Sequence, residues 1–139
     1  LFFGLLLNEF LHPIPIMPSS QAPTHLYLSI ERAMEFIGDT RGILSLLKTL
    51  EQTLSEDLPR LQALLEKGDV HGAYRILHQL KGFTPVFCVD SLVEHVVRVE
   101  EMSKHADAAE LSVAYSLLAP QLEALRQEVL AHLAHQKPA

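Results

Sequence analysis

From Thr24 onward, apolar residues recur three and four positions apart and almost never alternate, which is the period of helices that each bury one face. Five helical segments are predicted. The first covers Thr24 to Ile37, with Thr24 placed to cap its free amides and Gly38 to end it. The second begins after Asp39, carries Ile43, Leu44, Leu46, Leu47, Leu50, Leu54, Leu58, Leu61, Leu64 and Leu65, and ends at Gly68, with Pro59 expected to bend it. The third starts from Asp69 as N-cap and runs to about Phe87. The fourth spans Asp90 to Lys104 and the fifth Asp107 to His135, where Pro120 is expected to kink the helix or mark a first turn. Short connections between long helices make neighbours antiparallel. The predicted fold is therefore all-α: an up-and-down antiparallel four-helix bundle with a short additional N-terminal helix.

Residues 1–23 break this pattern. Leu1-Phe2-Phe3-Gly4-Leu5-Leu6-Leu7 is apolar but stops at Asn8 and Glu9, short of the roughly 20 residues that span a bilayer. It also lacks the positively charged start and small-residue cleavage site of a secretory signal. Four of the eight prolines lie between Pro13 and Pro23, where they remove backbone donors and favour extended chain. The expected organisation is an apolar, Pro-rich leader or linker at 1–23 and one helical bundle at 24–136. The absence of an initiator Met suggests a piece cut from a longer protein, while Lys137-Pro138-Ala139 reads as a true C-terminus.

Composition narrows the partners. With 11 basic against 17 acidic residues the formal net charge is −6, the wrong sign for a protein that neutralises nucleic-acid phosphates. Partners should be proteins or small molecules. The single cysteine, Cys88, excludes an intrachain disulfide and fits a reducing, cytoplasmic setting. The six glycines are scattered among helix ends and turns and form no phosphate-cradling loop, so no ATP site is expected.

The third segment carries the candidate chemistry. On a wheel at about 100° per residue, Ala73, Ile76, Leu80, Phe83 and Phe87 gather opposite His78, whereas His71, Tyr74, Arg75, Lys81, Gly82 and Pro85 lie within about 60° of it. His78 is thus predicted to face solvent. Between Val70 and Val89 the only formal charges are Arg75 and Lys81, one turn either side of it. A phosphorylated imidazole brings about two negative charges, which flanking cations offset and a carboxylate would oppose. A glycine inside a helix costs roughly 1 kcal/mol against alanine, so Gly82 needs a reason, and clearance for a partner approaching His78 is one.

His78-Gln79-Leu80-Lys81-Gly82 resembles the His-x-Leu-Lys-Gly signature of histidine-containing phosphotransfer (HPt) domains, the intermediates of multistep two-component phosphorelays. Ile37-Gly38-Asp39, Leu65-Glu66-Lys67-Gly68-Asp69, Leu92 and Val99-Glu100 are similar in spacing, so the resemblance covers about Leu26 to Leu133. It implies a four-helix bundle in which His78 is the phosphoacceptor, Lys81 the phosphate-stabilising cation and Gly82 the clearance residue. Around them, Tyr74, Arg75, Gln79 and Thr84 are candidates for phosphate or docking contacts, Thr84 standing in for the small residues that the family has after its motif. The sequence departs from the family at Phe83, Pro85 and Cys88, and Pro85 leaves the Lys81 carbonyl without its helical donor.

The resemblance further implies receiver domains of a response regulator or hybrid kinase as partners. The divalent cation, Mg, is expected on the receiver, no cofactor on this chain, and neither nucleic-acid binding nor membrane insertion. Asn8 to Pro13 resembles the closing segment of a receiver domain, which would make the chain the last module of a hybrid sensor kinase at the cytoplasmic end of a membrane-anchored protein. Three alternatives share the pattern: the phosphoacceptor domain of a chemotaxis-type kinase, a metal-binding bundle using His132 and His135, and an interaction bundle that is never phosphorylated.

Overall fold

The computed structural model describes residues 25–136, so the leader at 1–23 and Thr24 lie outside the described residues. Five helices follow in order: α1 (Ile30–Ile37), α2 (Thr40–Glu66), α3 (Val70–Phe87), α4 (Asp90–Met102) and α5 (Ala108–His135). Among the described residues no strand forms, only a single antiparallel bridge between Leu28 and Cys88.

Local chemistry sets most of the helix ends. Asp39 and Asp69 accept the Gly42 and Gly72 N–H groups at 2.8 Å and cap α2 and α3, and Asp107 and Glu110 form a reciprocal capping box at the start of α5. Gly38 and Gly68 end the preceding helices in the left-handed region, at φ 88° and 80°, where a Cβ is strained. Pro59, Pro85 and Pro120 all lie inside helices that continue past them, so Pro120 does not mark a first turn.

The four long helices form the antiparallel bundle. Glu51 of α2 meets Arg126 of α5 at 3.0 Å, beside a core that includes Leu47, Leu54 and Leu61 from α2 and Leu118, Leu122 and Leu125 from α5. Cys88 and Val89 alone separate α3 from α4, which folds these two back on each other. Ala73, Leu77 and Leu80 of α3 and Leu92, Val96 and Val99 of α4 supply the other half of the core.

The first helix starts later than its periodicity predicts. Residues 25–29 are non-helical, and Ser29 rather than Thr24 is the N-cap of α1. The backbone N–H groups of Leu26, Tyr27 and Leu28 all donate to the Glu128 carboxylate at 2.9 to 3.0 Å. Ser29 N–H donates to the Phe87 carbonyl and Val89 N–H to that of Tyr27. These long-range bonds hold the segment extended across the end of the bundle. Arg32 then pins α1 to the α3–α4 turn through the Cys88 carbonyl and Asp90.

Candidate functional site

Helix α3 is buried along one side and open along the other, as its wheel predicts. Ala73, Ile76, Leu80 and Phe87 are buried together with Leu77, Phe83 is half-buried, and the His78 side chain is 59% exposed. The ring is exposed yet held. Its Nδ1 lies 2.9 Å from Oε2 of Glu100, a side chain of α4 with no exposure to solvent. Tyr74, one turn earlier, stacks on the ring at 5.5 Å between centroids, and His71 stacks on Tyr74 at 6.3 Å.

Glu100 is the centre of the electrostatics. Its Oε1 accepts no hydrogen bond and is met by the ammonium groups of Lys81 at 3.5 Å and Lys104 at 3.9 Å. Burial pushes the carboxyl up, but the His78 hydrogen bond and the Lys104 and Lys81 charges outweigh it and hold it below the ordinary carboxylate value. An ionised carboxylate only accepts, so Nδ1 carries the ring proton. In the neutral ring the nucleophilic lone pair then sits on Nε2, away from Glu100.

The other motif residues divide around α3. Gly82 is exposed, and no atom lies within 4 Å of where a Cβ would stand, so helix packing does not account for this glycine. Arg75 and Gln79 turn toward α2, where with Arg60, Asp69 and Gly72 they line a cleft of about 310 Å³ separate from Glu100. Thr84 is a correction: it is fully buried, about 120° around the helix from His78, and cannot meet a phosphate or a docking partner.

Sequence reasoning missed Glu100 and Lys104. No carboxylate stands near His78 along the chain, yet the fold brings one from 22 residues away. A signal existed, since Glu100 falls on the face of α4 that buries Leu92, Val96 and Val99. A charged side chain on a buried face rarely goes unpaired. Elsewhere, His132 packs edge-on against His25, and the described residues bring no group of three or more potential metal ligands together.

The described residues thus form an all-helical bundle that presents a carboxylate-backed, solvent-facing imidazole from one central helix. The sequence profile of the Hpt domain matches residues 45–136, and the chain belongs to that family, whose domains act in phosphotransfer within phosphorelays. No curated protein and no solved structure matches the chain. No described helix is long and apolar enough to cross a membrane.

Proposed function

We propose that His78 is the phosphoryl carrier of this chain, accepting the group on Nε2 from a receiver-domain aspartyl phosphate and passing it to the aspartate of another receiver. In the accepting step the Nε2 lone pair attacks phosphorus in line, the P–N bond forms, and the P–O bond to the aspartate breaks and regenerates its carboxylate. The positive charge that builds on the ring is met by Glu100 through the shared Nδ1 proton. Lys81 offsets charge on the phosphoryl oxygens. A divalent cation, Mg, belongs to the receiver side of the exchange.

The observation that carries this role is the 2.9 Å contact from Nδ1 to the buried Glu100 carboxylate on a ring that is otherwise open. The ring is tethered by one nitrogen and presents the other. Incubation with a phosphorylated receiver tests the role: an acid-labile label is expected on the wild type and none on His78→Gln with its helicity intact. Labelling of that variant at the wild-type rate would remove His78 as acceptor.

A further inference from the structure

Lys104 belongs to none of the motif positions, yet it reaches the same carboxylate as the motif lysine. It follows the end of α4, four residues past Glu100, with its ammonium 3.9 Å from Glu100 Oε1 and 3.1 Å from Glu101 Oε1. With Val70, His71, Tyr74 and Ser103 it lines a cleft of about 430 Å³. Tyr74 is the shared wall, since the ring that borders Lys104 in this cleft is the ring that stacks on His78. Two ammonium groups from different helices therefore converge on one oxygen of Glu100 while His78 occupies the other.

Charge shows why one lysine is too few. Counting only Glu100 and the two ammonium groups that meet it, with His78 neutral and the 60% exposed Glu101 beside Lys104 left to solvent, this cluster has one positive charge in excess. A phosphoryl group on Nε2 adds about two negative charges, of which the retained Nδ1 proton offsets one. The phosphorylated cluster is then close to neutral with both lysines present. With Lys81 alone it is negative, and the same ammonium would have to serve Glu100 and the phosphoryl oxygens together.

We infer that Lys104 is a second charge-compensating residue for phosphohistidine at position 78, acting alongside Lys81. This rests on His78 being the acceptor. A lysine stem has enough rotatable bonds to carry its ammonium from Glu100 toward Nε2 without backbone movement. Glu101, 60% exposed and paired to Lys104, competes for the same ammonium and restrains it.

Phosphoramidate tests this on the full chain with no protein partner, because its P–N bond breaks as the bond to Nε2 forms and ammonia leaves. Lys104→Ala is expected to slow labelling and shorten the phosphohistidine lifetime by roughly two- to five-fold, the scale of a screened charge several ångströms away. Lys104→Arg should restore both. Glu101→Gln should speed labelling, and that gain should vanish when Lys104→Ala is added. Equal labelling of Lys104→Ala and wild type overturns the proposal, as does slowing matched by a fall in melting temperature. Both outcomes leave phosphotransfer standing, whereas no label on the wild type overturns the two together.

Discussion

Two glycines of α3, ten residues apart, should answer the same substitution differently. At Gly82 a Cβ meets nothing within 4 Å, so Gly82→Ala should gain about 0.5 to 1 kcal/mol from helix propensity and the unfolded chain's lost freedom. In a domain of this size that raises Tm by roughly 2 to 6 °C. At Gly72 a Cβ would stand 2.8 Å from Asp69 Oδ2 and 3.0 Å from Leu64 Cδ2. Gly72→Ala must therefore shift the Asp69 side chain that caps α3, and a cap lost in that shift costs about 1 kcal/mol, enough to cancel the gain in helix propensity. Thermal melts followed by circular dichroism read both. Function separates the alanine from a longer side chain: Gly82→Gln keeps most of the stability but fills the space one turn from His78 and about 40° around the helix. Transfer from a phosphorylated receiver should fall roughly 10- to 100-fold, the scale on which small misplacements of reacting groups are felt. Labelling by phosphoramidate, which needs far less room, should fall much less. A Gln variant that takes phosphate from the receiver at the wild-type rate refutes clearance, and a Gly82→Ala variant that melts several degrees lower refutes the open space itself.

Three further outcomes follow from the geometry. Glu100→Gln should slow transfer by about 10- to 100-fold, the worth of a charge-assisted hydrogen bond felt in the transition state, and an unchanged rate would reduce Glu100 to a packing role. Because the folded Glu100 carboxyl lies below its ordinary value of 4.5, its contribution to stability is complete above that value and is lost as pH falls through the folded one. Urea midpoints of the wild type should consequently fall more steeply in acid than those of Glu100→Gln, and parallel curves would show that the cluster adds nothing to folding. Burial, with Glu128 nearby and against the charge of Arg32, pushes the Cys88 thiol up to about 12, so alkylation at neutral pH should be slow until urea unfolds the bundle. Rapid native alkylation would mean that the Leu28–Cys88 bridge opens readily.

What the sequence makes legible here is what depends on neighbours along the chain. Capping aspartates, left-handed glycines and the apolar stripe are local, and α3 runs from Val70 to Phe87 as its pattern predicts. The start of α1 depends instead on a carboxylate about a hundred residues away, and no reading of residues 24 to 30 contains Glu128. The site divides in the same way. Lys81 and Gly82 share a helix with His78 and each lies within about 60° of it on the wheel, whereas Glu100 and Lys104 arrive from another helix and its following turn. Thr84 was misplaced for a simpler reason: closeness to the motif in sequence outweighed an angle of about 120° that turns it inward.

The Glu128 clamp gives the bundle a mechanical layout. Leu26 to Leu28 are tied to α5 seven residues before its end, and His25 stands 5.8 Å from His132, so the first and last described stretches of chain meet at one corner. A pull between residue 25 and residue 135 loads that corner first: three backbone hydrogen bonds to one carboxylate and an imidazole contact. The next holds on the segment are the Ser29–Phe87 and Val89–Tyr27 hydrogen bonds, at the far end of α3 from Val70 and in the turn that follows it. Tension applied at these two joints therefore meets Glu128 before it reaches the histidine.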